Sequence, residues 1–288
     1  MEITGKRILV TGISGTLGPR VARRFIEEAT EVRGLVRSEG QADYCKQLGI
    51  TPAFGDLTDA AALETAMQDI DIVVHCAAYL GDDIELAVAA NVTGVEHLAA
   101  AALDAHALFI HISTTSVYGE PAGGLITEAM PLSDDHLAPY ILTKVRSERI
   151  LQQYAADGLD VIILRPGAIC AEENSYWGDR QVKRMQETKV VTWVHPDDVV
   201  NWVHADNLAE MVHLAVRRAT PGDIFHAVDA NIPETEFRMQ LIKASGKPYQ
   251  VPDRSVERPL YTTDKIRTLG YTPVRSFSET MQRLIEFF

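Results

Sequence analysis

Thr11-Gly12-Ile13-Ser14-Gly15-Thr16-Leu17-Gly18 joins an apolar run at residues 7–11 to an amphipathic run at residues 19–29. Each glycine has a physical use at a strand-to-helix turn. Gly12 permits the tight turn, Gly15 lets the backbone approach a pyrophosphate, and Gly18 allows helix and strand to pack closely. The helix entered through Thr16 and Leu17 offers unpaired N–H donors and a positive dipole end to an anion. The spacing is GxxGxxG, one residue wider than the common dinucleotide fingerprint, and an ordinary structural turn is the competing reading. In the helix that follows, Val21, Phe25 and Ala29 recur at i, i+4 and i+8, with Arg23, Arg24, Glu27 and Glu28 on the other side.

The alternation continues outward from that turn. Strand-like runs occupy residues 7–11, 32–36, 51–54, 70–75, 108–112 and 161–164, with helix-like segments at 19–29, 41–48, 60–68, 84–103 and 137–156 between them. Alternating β and α, with strands apolar throughout, predicts an α/β protein: a doubly wound, mostly parallel Rossmann-type sheet with a small C-terminal substrate lobe. The pattern loosens after Arg165. A helix is expected at 207–218, a strand at 224–228, a short helix near 234–244 and a terminal helix at 278–288. We expect one extended unit over 1–288, with a dinucleotide-binding core at 1–168. Residues 169–288 then form mainly the substrate lobe, with some elements returning to the core.

Composition narrows the class. The chain has 288 residues, 46% hydrophobic and 23% charged, with a net charge of −13, so nucleic acid is not an expected partner. Three cysteines without CxxC spacing argue against a disulfide scaffold or zinc site and fit a reducing cytoplasm. The short polar start suggests no signal peptide, and no apolar run is read as approaching the ~18–20 residues of a membrane span. His195, His204 and His213, with Asp197 and Asp206 nearby, do not have metal-site spacing, so no metal is expected. Asp206 or Asn207 is expected to cap a helix, since Asn207 to Glu210 fits a capping box.

The second strand bears on the cofactor. A dinucleotide with a free ribose 2′-OH calls for a carboxylate at that strand's end. The chain reads Val32-Arg33-Gly34-Leu35-Val36-Arg37-Ser38. A guanidinium at Arg37 suits a 2′-phosphate, which favours NADP and leaves NAD possible, against the competing reading of a solvated strand-end arginine. Arg20 and Arg33 are further cations that nothing in the sequence places.

Ser113-Thr114-Thr115-Ser116-Val117-Tyr118-Gly119 follows a strand, and Tyr140 and Lys144 lie at i and i+4 on one predicted helix face. A phenol titrates near 10, too high for proton transfer at neutral pH, unless a nearby ammonium lowers it. A surface pair on an amphipathic helix is the bland alternative.

With these motifs in hand, the chain resembles the short-chain dehydrogenase/reductase superfamily, in particular its extended branch, the NAD-dependent epimerase/dehydratase family. The resemblance extends to Gly55-Asp56-Leu57, His75-Cys76-Ala77-Ala78, Asn91-Val-Thr-Gly94, Leu164-Arg165-Pro166-Gly167 and Trp202-Val-His204-Ala-Asp206. It implies that Asp56 contacts the adenine, that Ala77 and Ala78 line the cofactor cleft, and that Lys144 bonds the nicotinamide ribose. Leu57, Asn91, Pro166 and Gly167 are counted with them as cofactor-site residues. Thr114, three residues before the Val of VYG, stands where the family has its catalytic Ser or Thr. The implied reaction is hydride transfer between nicotinamide and a carbonyl or alcohol substrate, with Tyr140 handling the proton.

Sugar-nucleotide 4,6-dehydratases of that family carry Asp-Glu before VYG, whereas this chain has Thr115-Ser116. The run at 32–37 is similar instead to NADP-dependent reductases such as the dihydroflavonol and cinnamoyl-CoA reductases. Nucleotide-sugar epimerase is the alternative, followed by a non-catalytic NADP-binding sensor or scaffold. A homodimer through the helices at 84–103 and 137–156 is also implied, the first being rich in alanine.

Overall fold

The computed structural model describes residues 2–28, 31–119, 124–136 and 138–288. Ala29 and Leu137, both assigned above to helices, lie outside the described residues. In chain order the strands are β1 (Arg7–Thr11), β2 (Glu31–Val36), β3 (Thr51–Phe54), β4 (Ile72–His75), β5 (Leu108–Ile112), β6 (Leu125–Ile126), β7 (Val161–Pro166), β8 (Ala168–Cys170), β9 (Val199–His204), β10 (Ile224–Ala227), β11 (Ala230–Pro233) and β12 (Leu260–Tyr261). The helices are α1 (Gly18–Ile26), α2 (Glu39–Gln47), α3 (Ala60–Ala66), α4 (Ile84–Val88), α5 (Gly94–Asp104), α6 (Pro139–Ala156), α7 (Asp179–Glu187), α8 (Ala205–Arg218), α9 (Arg238–Ser245), α10 (Asp264–Arg267) and α11 (Phe277–Ile285).

Seven strands form one sheet in the order β10-β7-β5-β4-β1-β2-β3, and every neighbouring pair is parallel. Both faces are covered, which explains why its strands read as unbroken apolar runs. Ile8, Val10, Val74 and Ile110 pack with Val21 and Phe25 of α1 and Leu208, Met211 and Val212 of α8. Their neighbours Leu9, Val73 and Phe109 point the other way, onto Leu63 of α3, Leu98 and Ala102 of α5, and Leu151 of α6. The chain therefore has the doubly wound α/β fold expected of it. β1 pairs with β2 on one side and β4 on the other, so the sheet order reverses at β1. A crevice opens at such a reversal, beyond the carboxyl ends of the strands.

The long helix expected at 84–103 is divided into α4 and α5 by one π-helical turn, Ala89–Thr93. Ala87, Ala99, Ala101 and Ala102 are buried within the chain, so the alanines serve intrachain packing rather than a free face. Contrary to the sequence reading, Ile84–Asp104 is long and apolar enough to pass for a membrane span, with a mean hydropathy of 1.4. Its apolarity is accounted for by the face that α5 lays on α3, α6 and the sheet. The three cysteines are free thiols.

A second, three-stranded sheet, β11-β9-β8, gathers Trp202, Phe237, Leu241, Val182 and Met185 into a separate core with α7, α9 and α11. Helix α7 was not anticipated, because its few apolar positions sit among charges. The helix expected near 234–244 begins at Arg238. The cap of α8 is His204, whose side chain accepts from Asp206 N, and not Asp206 or Asn207. Asn207 is buried and instead binds Asp229 and the backbone of Val274 and Arg275.

A β-carbon on Gly18 would press into the Gly12 carbonyl, with that carbonyl's carbon only 2.7 Å away. Nothing lies within 4 Å of the equivalent position on Gly40, in α2. Gly18→Ala is therefore expected to destabilise the protein by about 1–3 kcal/mol. Gly40→Ala should be neutral or stabilising by up to about 1 kcal/mol. Urea denaturation checks both, and equal midpoints for the two variants would refute the close packing of α1 on β1.

Candidate active site

A cleft of about 470 Å³ opens at the reversal point, lined by residues from the carboxyl ends of β1, β2, β3, β4, β5 and β7. Its floor is the glycine turn. Gly12 has a φ of +70°, and a β-carbon there would lie 2.8 Å from Ala77 N, so only glycine lets β1 turn against the segment after β4. The Thr11 hydroxyl accepts from Ala77 N (3.1 Å) and lies 2.8 Å from His75 Nδ1, locking the two strand ends together. Arg20 and Arg33 point elsewhere. Arg20 bonds the Thr16 carbonyl and Asp206, whereas Arg33 bonds the Gln68 carbonyl and Glu31.

At one end of the cleft Leu35, Gly55, Asp56 and Leu57 meet Arg37. Val36 is buried at the strand end, and no carboxylate stands in its place. Arg37 leaves 71% of its side chain exposed and lies 3.5 Å from Asp56. Asp56 accepts from the Thr58 backbone N–H and hydroxyl, bonds that hold its carboxyl below the usual range. Gln41 accepts from Arg37 N (2.8 Å) and donates to the Ser14 hydroxyl (3.0 Å), tying the end of β2 to the glycine turn. Ser14 and Gln41 were not singled out in the sequence, because nothing in the motif spacing marks them.

Ser113, Thr114, Tyr140 and Lys144 line the same cleft. Lys144 is buried and donates from Nζ to the Ile112 carbonyl at 2.6 Å, so burial pulls its ammonium down to about 8. Burial, with no charge near enough to oppose it, pushes the Tyr140 phenol up to about 12. Burial also pushes the Cys76 thiol up to about 12, which disfavours a thiolate nucleophile beside Lys144. The three hydroxyls before VYG are disposed differently. Ser113 Oγ donates to the buried carboxylate of Glu148. Thr115 is buried away from the cleft, and its hydroxyl accepts from Asn201 Nδ2. Thr114 lines the cleft and accepts from Ser116 N, and among the described residues its own proton has no acceptor.

The structure brings Gly12, Gly15, Thr16, Leu17, Arg37, Asp56, Leu57, Ala77, Ala78, Thr114, Tyr140, Lys144, Pro166 and Gly167 to one cleft. Gly18 sits just behind it, in the helix–strand contact. Asn91 stands apart from these. It is buried, exchanges hydrogen bonds with the Tyr79 backbone and donates to Thr143, so it shapes the wall and does not line it. Tyr79, Leu80, Ile169, Asn174 and Arg180 also line the cleft, and the sequence reading missed them. Among the described residues, no three His, Cys, Asp or Glu side chains gather as a metal site. The lining suits a dinucleotide: a glycine cradle, apolar Leu35 and Leu57 beside Asp56, and a half-buried phenol and a buried ammonium at the far end.

Comparison with known proteins agrees with that lining. The family model for the NAD dependent epimerase/dehydratase family matches residues 8–228. A ketoreductase of Stigmatella aurantiaca, acting on a 4-hydroxy-2-methyl-3-oxo-4-farnesyl-3,4-dihydroquinoline-1-oxide, is 32% identical over 65% of this chain and 57% of its own length. A dTDP-glucose 4,6-dehydratase of Streptomyces antibioticus is 27% identical over 98% of this chain and 92% of its own. The solved dTDP-glucose 4,6-dehydratase DesIV of Streptomyces venezuelae, with NAD bound, superposes with a TM-score of 0.84 at 25% identity, covering 98% of this chain and 96% of that one.

The depressed Lys144 ammonium has a consequence for stability. Between about 8 and its ordinary 10.5, the unfolded chain holds a proton at this lysine that the folded chain releases. The cost of the buried charge is therefore fully present below about pH 8 and fades as pH rises through that window. Wild type should gain stability relative to Lys144→Met between pH 8 and 10, read as a changing difference in Tm. A constant difference would mean that the ammonium is not buried.

Proposed function

Because the chain belongs to the NAD-dependent epimerase/dehydratase family, we propose that it is an NADP-preferring oxidoreductase that interconverts a small carbonyl compound and its alcohol. The observation that carries this reading is the convergence of Thr114, Tyr140 and Lys144 with the glycine turn on one cleft. A bound nicotinamide dinucleotide supplies or accepts the hydride there. Tyr140 gives the proton to the substrate oxygen during reduction and takes it during oxidation. Thr114 donates a hydrogen bond to that oxygen, steadying the charge that develops on it. Lys144, anchored on the Ile112 carbonyl one helical turn from Tyr140, is set to bond the ribose of the bound dinucleotide.

Dehydration is disfavoured by the same geometry. Thr115 and Ser116 occupy the positions of the dehydratase acid pair, and neither lines the cleft. Epimerisation is the alternative reading, since the same three side chains serve hydride transfer in both directions. An epimerase would regenerate its cofactor, whereas a reductase oxidises NADPH stoichiometrically with product. A non-catalytic sensor would have little use for a half-buried Tyr140 beside a buried Lys144. The expected setting is the cytoplasm. Any homodimer through α4, α5 and α6 would rest on exposed side chains such as Ile84 and Leu86, since most of the neighbouring alanines are spent inside the chain.

The preference for NADP rests on Arg37. It is exposed, no carboxylate occupies the end of β2, and Ser14 and Gln41 add hydrogen-bonding groups beside it. Arg37→Ala is expected to raise the Kd for NADPH by about tenfold, the worth of one charge-assisted bond, and to change that for NADH by less than about twofold. Equal weakening of both cofactors would remove the assignment. Tyr140→Phe should lower turnover by about a hundredfold or more while leaving the NADPH Kd within about twofold. Turnover close to wild type would end the proposed mechanism.

A further inference from the structure

The segment between β8 and α7 is folded tightly over the glycine turn. Gly178 lies so close to the Ala171 carbonyl that a β-carbon there would run into it, and Asp179 N donates to the same carbonyl. Ser175 is buried at the centre. Its hydroxyl donates to the Ile169 carbonyl, its N–H donates to Asp179 Oδ1, and its carbonyl accepts from Arg180 N. This internal bonding fixes Asn174 at the tip, with a φ of +56°, a left-handed conformation that asparagine tolerates better than most residues.

Asn174 then grips the dinucleotide turn from above. Its carbonyl accepts from the Thr16 hydroxyl (2.5 Å), its Nδ2 donates to the Ser14 carbonyl (3.3 Å), and its Oδ1 accepts from the Arg180 guanidinium. Arg180 and Asn174 both line the cleft. Among the described residues, the partner of Arg180 is that neutral amide and no carboxylate pairs with it. The other cations of the lining are differently placed, Arg37 beside Asp56 and Lys144 buried on a carbonyl.

We propose that Arg180, held by Asn174, is a clasp on the pyrophosphate of the bound dinucleotide, closing from the substrate lobe onto a site otherwise built by the sheet. The proposal rests on the dinucleotide reading above. Asn174 touches Ser14 and Thr16, the turn residues that face a pyrophosphate, so its bond to Arg180 sets the guanidinium at that end of the cleft. The turn supplies backbone N–H donors and Arg180 the opposing charge, so the anion is held from both sides. The clasp also makes cofactor retention a property of the substrate lobe.

The test is binding, measured by calorimetry on the full-length protein with NADPH, NADH, ADP-ribose and adenosine, together with stopped-flow dissociation of NADPH. Arg180→Gln is expected to raise the Kd of NADPH, NADH and ADP-ribose alike by about tenfold, chiefly through faster dissociation, and to leave adenosine unchanged. Arg180→Lys should recover part of the loss. Asn174→Gly keeps the backbone bond to Thr16 and the left-handed turn but frees Arg180, and should accelerate dissociation to a smaller degree. Arg180 is exposed, so folding is expected to survive, and an unchanged Tm checks that. Unchanged dinucleotide affinity in Arg180→Gln, with only a raised substrate KM, would overturn the clasp and assign the arginine to the substrate. A loss confined to NADPH would place it on the 2′-phosphate and also overturn the proposal. Failure of the wild-type protein to bind any dinucleotide would instead refute the functional reading on which the proposal stands.

Discussion

The approach of β1 to α1, with no side chain between them, is the constraint on which the rest depends. The Gly12 carbonyl accepts from Gly15 N at 2.9 Å and has Gly18 packed directly against it. That contact fixes where the N-terminus of α1 points, and so where an anion is welcome. Its effect spreads through α1, because Arg20 and Arg24 reach across to Asp206 and Glu210 of α8 at 2.9 and 2.6 Å. Helix α8 in turn holds the C-terminal segment through Asn207, whose side chain binds the backbone at Val274 and Arg275. The turn that marks the N-terminal third of the sequence is thus braced by residues from its final third.

Beneath the end of the cleft that holds Tyr140 and Lys144 lies a second constraint, a buried chain of polar groups. Glu148 takes two bonds from Arg165, at 3.0 and 2.6 Å, and one from Ser113. Arg165 continues to the Tyr118 hydroxyl, which meets His226, whose N–H reaches Glu128. Two fully buried charges are expensive to desolvate, and removing one partner of such a pair costs about 3–5 kcal/mol. This pair is satisfied on every side, so it acts as a rigid support for β5, α6 and β7. Its chemical consequence is selective: the network engages Ser113, and of the hydroxyls before VYG that leaves Thr114 to face the cleft.

The parallel sheet was legible because its strands are buried on both faces and its helices carry an apolar stripe, two patterns that survive in a single sequence. The glycine turn, Tyr140 and Lys144 were legible because tight turns and one-turn helical spacing are local. Asn91 stands behind the cleft wall, since a motif position reports a role only through its surroundings, and here those are the backbone of Tyr79 and the hydroxyl of Thr143. Arg180 and Asn174 were invisible for the opposite reason. Asn174 contacts residues about 160 positions earlier and Arg180 is placed through Asn174, which no local pattern encodes. The same holds for the cap of α8, where His204 does work that Asp206 and Asn207 appeared suited to do.

A chain with a net charge of −13 can welcome an anion only locally. Many of its carboxylates are engaged in pairs, as with Asp206 between Arg20 and Arg275, or Glu28 beside Arg24 and Arg217. Paired charges project little field beyond a Debye length of about 8 Å at physiological salt, so the global repulsion is largely screened before a ligand reaches the cleft. Within contact distance the balance is set by the N-terminus of α1, by Arg37 at one end and by Arg180 across the turn. Where along the cleft an anion is welcome therefore depends on where two guanidinium groups are held. The tethers that hold them, Asp56 for Arg37 and Asn174 for Arg180, matter as much as the charges themselves.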